Sequence, residues 1–253
     1  MDEHRRHYLK GMGIQLWERR PAAPTVAEKG DVATKEQVAP PVPQPEKAAK
    51  PPPHFSIPAA ESAPDIAELN WTELEQRVAD CPLCEELVAN RTQTVFGVGN
   101  NNADWMIIGE APGADEDRLG EPFVGPAGTL LNGMLRAIGL QREKVYITNI
   151  LKCRPPGNRD PKPEEIKACS PYLHRQIALV QPKIILAVGR VAAQNLLNSD
   201  LPIGKLRGMV HRHESGVPLV VTYHPAYLLR TPLEKRKAWA DLCLARQIMQ
   251  EKG

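Results

Sequence analysis

The chain has 253 residues, a quarter of them Asp, Glu, Lys or Arg, and a formal charge of +2 at pH 7. No apolar run reaches the roughly 20 residues that cross a bilayer and no export signal is visible, so composition speaks against a membrane or secreted protein and for a cytoplasmic one. The balanced charge leaves nucleic acid open as a partner, because phosphate binding needs only a local basic face.

Residues 1–20 form a short basic segment with apolar residues from Tyr8 to Trp17. They read as a loosely helical tail, or as a docking peptide for a partner or an arm that touches DNA. Residues 21–66 carry eleven of the 25 prolines. Such a stretch buries too little apolar surface to offset its ordering entropy, which predicts a flexible linker and a disordered N-terminal extension. Residues 67–253 then form one globular domain.

Within that domain Trp71 to Ala79 reads as a helix. Trp105 to Gly109 (WMIIG) is a buried strand, Pro126 to Ile138 a helix, and Val145 to Leu151 a strand. Pro163 to Val180 is a helix with Pro early in its first turn. Ile184 to Val188 (IILAV) is a strand, followed by Gly189 and a short helix. Met209 to His213 and Pro218 to Thr222 are further strands, and Leu233 to Met249 closes the chain as a helix. Alternating strands and helices predict an α/β fold with a mostly parallel sheet covered on both faces, and a site at the carboxyl ends of its strands. His211 and His213 are expected at the surface, and Cys243 as a small buried hydrophobe.

The remaining cysteines carry chemistry. Cys81 and Cys84 form a C-P-L-C pair, and Cys153 and Cys169 lie far downstream. In a reducing compartment, thiols gathered from distant points hold a soft metal centre rather than disulfides, and the spacing admits zinc or an iron–sulfur cluster. The four bracket G-E-A-P-G (Gly109 to Gly113) and T-N-I-L-K-C-R-P-P-G-N-R (Thr148 to Arg159).

Together with G-E-P-F-V-G-P-A-G and H-P-A-Y-L-L-R, in this order and spacing, these segments resemble the family 4 uracil-DNA glycosylases, the iron–sulfur branch of that superfamily, over roughly residues 70–250. The resemblance implies a three-layer α/β/α fold and a 4Fe-4S cluster on Cys81, Cys84, Cys153 and Cys169. It implies an enzyme, acting as a monomer, that flips uracil out of DNA and hydrolyses its glycosidic bond. Such an enzyme needs an aromatic face, an amide that reads the base edge, a donor for the leaving base and a placed water.

Phe123 matches the stacking aromatic, and Asn149 the base-reading amide, whose donor and acceptor suit uracil and not cytosine. His224 matches the donor that stabilises the uracil anion. Glu110 matches the motif glutamate at the pocket floor, and Glu116 a second acidic position important for activity. The branch without a cluster has an aspartate where this chain has Ala111, so the water falls to Asn158. Gly109 and its neighbours allow close approach of the base. Arg154, Arg159, Lys162 and Arg230 are candidate phosphate contacts, and Leu228 and Leu229 candidate wedges into the base stack. Two other readings stand beside this one. One is a non-catalytic protein that captures uracil-DNA, which in this superfamily carries a reactive His soon after T-N, absent here. The other is a zinc-stabilised DNA-binding module.

Overall fold

The computed structural model describes residues 65–251; the 1–20 segment and nearly all of the 21–66 linker lie outside the described residues. Six strands form one sheet: β1 (Val98–Gly99), β2 (Trp105–Gly109), β3 (Tyr146–Asn149), β4 (Ile184–Val188), β5 (Val210–Arg212) and β6 (Pro218–Thr222). Their order is β1-β3-β2-β4-β6-β5. The central four run parallel, and β1 and β5 pair antiparallel at the edges. β2, β3, β4 and β6 are buried along their whole length. Burial on both faces is why these segments read as unbroken apolar runs.

The helices are α1 (Trp71–Ala79), α2 (Glu85–Asn90), α3 (Ala114–Leu119), α4 (Pro126–Ala137), α5 (Pro163–Val180), α6 (Arg190–Leu196), α7 (Ile203–Leu206), α8 (Pro225–Arg230) and α9 (Lys235–Gln250). Alternate strand residues face opposite sides. Ile107, Ile147, Leu186 and Val220 pack against Leu131 and Leu135 of α4 and Leu242 of α9. Met106, Ile108, Ile185 and Val221 pack against Leu173 and Ile177 of α5 and Ala193 of α6. A third cluster joins Leu74 and Val78 of α1, Leu87 of α2, and Cys153, Cys169 and Tyr172. The three-layer expectation holds, and the cysteines sit in a side lobe at one end of α5.

Several elements differ from their sequence reading. β3 stops at Asn149, because Ile150 and Leu151 leave the ladder and donate to the carbonyls of Gly109 and Glu110, 2.9 and 3.0 Å away. Cys243 is exposed, because α9 buries Ala238, Asp241, Leu242 and Ala245 and position 243 lies off that stripe. His213 is buried, at 5% exposure. It leaves β5 to enter a tight turn, where its Nδ1 lies 2.8 Å from Ser215 Oγ and its ring meets His174 of α5 edge-on. His174, His213 and Glu214 bring ligand atoms within 4.8 Å of one another in that turn, which joins β6 at its amino end, away from the carboxyl ends of the parallel strands.

Candidate active site

Four segments converge where the parallel strands end: Gly109 to Gly113 after β2, Asn149 at the end of β3, the loop from Cys153 to Arg159, and His224 after β6. They line a cleft of about 400 Å³ together with Phe123, Glu116 and Arg230. That volume holds a pyrimidine and part of its sugar.

Gly109 packs against both the Phe123 ring and the Asn149 amide. A Cβ built there would lie 2.6 Å from the Phe123 ring and closer still to Asn149 Oδ1, so only glycine lets the aromatic and the amide approach each other. Replacing it with alanine must separate the two. We expect Gly109→Ala to lower turnover of the cleft's substrate by about a hundredfold, the usual scale for a misplacement near 1 Å. Iron content should be unchanged, and steady-state kinetics beside iron analysis checks both.

Asn149 is 2% exposed, and its Oδ1 is a buried acceptor with no partner among the described residues. An orphaned buried acceptor costs stability unless a water or a ligand donor fills it. Its backbone is held from below by Lys152, which is fully enclosed. The Lys152 Nζ donates to Thr148 Oγ1 at 2.6 Å, to the Asn149 carbonyl at 2.7 Å and to Gln176 Oε1 at 2.7 Å. Burial pulls that amine down to about 7.

His224 caps the amino end of α8, its Nδ1 accepting from Ala226 N at 3.2 Å. That bond places the single ring proton on Nε2. Burial, aided by the nearby Arg230 charge, pulls the imidazole down to about 4, with Glu116 opposing. At neutral pH His224 is therefore an uncharged donor. Its ring centroid lies 5.6 Å from that of Phe123, at 32°.

The two glutamates differ. Burial, with Asp160 adding to it and Arg190 opposing, pushes Glu110 up to about 6. Glu116 is committed to backbone: its carboxylate accepts from Gly113 N at 3.1 Å, Val124 N at 3.0 Å and Gly125 N at 3.2 Å. It latches the loop after β2 to the loop carrying Phe123. Asn158 takes a left-handed backbone, φ 55°, after Gly157 at φ 63°. Arg154 Nε donates to its Oδ1 at 2.7 Å, and the residue lines the cleft.

The basic candidates separate. Arg159 grips Glu165 at 2.6 Å and Glu86 at 3.1 Å, which ties the loop to α5 and α2, and Lys162 grips Glu86 of α2 at 2.6 Å. Arg230 is exposed at the rim. Of the two candidate wedges, Leu228 is 1% exposed and belongs to the core, whereas Leu229 is 45% exposed.

The four cysteines line one cavity between α1, α2 and α5. Arg91 Nη1 donates to Cys153 Sγ at 2.9 Å, and Lys152 N to Cys169 Sγ at 3.3 Å. Burial pushes the Cys84 and Cys153 thiols up, and Cys169 up to about 12. Four thiolates gathered here need a cationic centre.

A sequence model described as the uracil DNA glycosylase superfamily matches residues 96–243. The chain belongs to that superfamily. Relatives named type-4 uracil-DNA glycosylase show the branch. The one from Archaeoglobus fulgidus is 47% identical over 176 residues, 67% of this chain and 88% of its own length. Those from Thermotoga maritima and Saccharolobus solfataricus are 40% and 43% identical and are covered over 95% and 88% of their lengths. A type-5 relative from Thermus thermophilus is 31% identical over 48% of this chain. In this superfamily member two further arginines shape the site without any sequence signal. Arg91 meets a thiol 62 positions away, and Arg142 meets backbone carbonyls of the Phe123 loop. Motif spacing does not encode a side chain that reaches across the fold to a main-chain acceptor.

Proposed function

We propose that this cleft takes uracil flipped out of DNA and hydrolyses its glycosidic bond, releasing the free base and leaving an abasic site. The observation that carries the reading is that Asn149, whose buried Oδ1 has no hydrogen-bond partner among the described residues, lines one cleft with Phe123 and His224. Uracil offers N3–H to Asn149 Oδ1 and O4 to Nδ2. Cytosine presents the reverse pattern and leaves both groups of the amide opposed.

Phe123 stacks on the base. As C1′–N1 breaks, its electron pair goes to the base, and Nε2–H of His224 donates to the charge building on O2. The sugar becomes oxocarbenium-like, and the Glu110 carboxylate supplies the opposing charge. Asn158 places the water. An amide is no base, but the cationic sugar captures neutral water, and the proton passes to Glu110. No lysine lines the cleft among the described residues, so no Schiff base forms and the strand is left uncut.

The resemblance to the iron–sulfur branch, the relatives' type-4 name and the four thiols lining one cavity support a 4Fe-4S cluster on Cys81, Cys84, Cys153 and Cys169. The cluster supplies a structural centre that fixes the loop bearing Asn158. Leu229 fills the gap in the stack, and Arg154 and Arg230 meet phosphate. The protein acts as a monomer on DNA in the cytosol; no helix among the described residues is long and apolar enough to cross a membrane. Residues 1–20 are proposed to dock a replication or repair protein.

The test is release of free uracil from an oligonucleotide with one deoxyuridine, measured across pH. Wild type should release uracil with a rate that rises as Glu110 ionises through about 6 and stays flat above. Glu110→Gln should be slow and lose that limb. Tight binding without release would leave a capture protein instead.

A further inference from the structure

Phe123 sits on a backbone that its side chain disfavours. Its φ is 54°, in the left-handed region where a bulky residue is an outlier. Such a conformation persists only when its surroundings over-determine it. The turn is pressed from one side by α4, where Gly128 lies so close under the Phe123 carbonyl that no Cβ fits. Glu116 holds the amides that follow, Val124 N and Gly125 N. The carbonyls that precede them point the other way, to the half-buried guanidinium of Arg142. Its Nη2 donates to the Pro122 carbonyl, and its Nη1 to the Phe123 carbonyl at 3.2 Å and to Asn132 Oδ1 of α4 at 3.3 Å. An anion thus grips the amides after the strained residue and a planar cation grips the carbonyls at and before it.

We propose that Arg142 is a positioning residue for base recognition: it clamps the Phe123 turn in its left-handed form and so holds the ring at the wall of the cleft, beside His224. The inference rests on the assignment of Phe123 as the stacking face. Arg142 sits outside the cleft lining and acts only through that ring. A lysine cannot replace it, because one ammonium does not match a fork that spans two successive carbonyls.

The experiment uses the full-length holoprotein and two readings, inhibition of excision by free uracil and uracil release itself. Arg142→Ala should weaken inhibition by free uracil roughly tenfold, the scale of losing an aromatic–base stack, with iron content unchanged. Phe123→Ala should do the same. The double variant should be no worse than Phe123→Ala alone, because a residue acting through the ring has nothing left to position. Arg142→Lys, the milder change should the alanine variant fold poorly, should keep most of the defect, and added guanidinium ion should restore Arg142→Ala in part. Additive losses in the double variant, full function in Arg142→Lys, or unchanged inhibition in both Arg142 variants would overturn the proposal. Wild-type protein that neither releases nor binds uracil would overturn the functional reading beneath it instead.

Discussion

Replacing His224 with alanine should slow uracil release by about 10² to 10³, which corresponds to roughly 3–4 kcal/mol of lost transition-state stabilisation. The size follows from the state of the ring. An Nδ1 that accepts from Ala226 N fixes the proton on Nε2, and burial holds the imidazole neutral down to about 4. The donor is in place before reaction and needs no reorganisation as charge reaches the base. Binding to uracil-DNA should change far less than turnover, because the interaction strengthens only as O2 gains charge. Single-turnover kinetics beside equilibrium binding separates the two. Equal losses in both would make His224 a ground-state contact and remove it from catalysis. Because His224 titrates near 4, the wild-type rate should show no falling limb through neutral pH.

Cys153→Ser should be the most damaging single change. Cys153 is buried and hydrogen-bonded to Arg91, and it lies four residues after Asn149 and five before Asn158. Losing one thiolate should empty the centre of iron, lower Tm by several degrees and reduce uracil release at least a hundredfold, since the recognition strand and the water loop lose their common anchor. Cys243→Ser supplies the contrast: that thiol is exposed on α9, and iron, Tm and turnover should stay at wild-type values. Iron and sulfide analysis with a thermal melt reads both. A Cys153→Ser protein with full iron and activity would dissolve the assigned ligand set, and zinc in place of iron in wild type would overturn the cluster.

Much of the fold was legible because its central strands are unbroken apolar runs and its longer helices open with clear start signals. β2, β4 and β6 are apolar runs closed by Gly, Thr or Pro, and α1 and α5 open with strong signals. In α1, Asn70 and Glu73 cap each other at 3.0 and 2.8 Å, and α5 begins with Pro163 in its first turn. The two-residue β1 and the four- to six-residue helices α2, α3, α7 and α8 were not legible, since so few residues cannot display a period. Their ends are set by distant groups. α3 starts where Glu116 reaches back to Gly113 N while its other oxygen holds Val124 and Gly125. Motif order singled out Glu110, Phe123, Asn149, Asn158 and His224, and the structure brings these five to one cleft without assigning their roles. Only geometry shows that Glu116 latches loops, that Arg159 is spent on ion pairs, and that Leu229 alone of its pair faces outward.

The placement of Lys152 bears on how this enzyme breaks. Its main chain donates to one cysteine sulfur and its side chain holds the carbonyl of the base-reading Asn149, with Cys153 next in sequence. A glycosylase whose metal centre decayed while its pocket survived would be a hazard to the genome, cutting ordinary pyrimidines once its discrimination loosened. In the proposed assignment residues 149–153 carry both the base reader and a ligand of the centre, so oxidative loss of the centre should disarm the enzyme rather than make it indiscriminate.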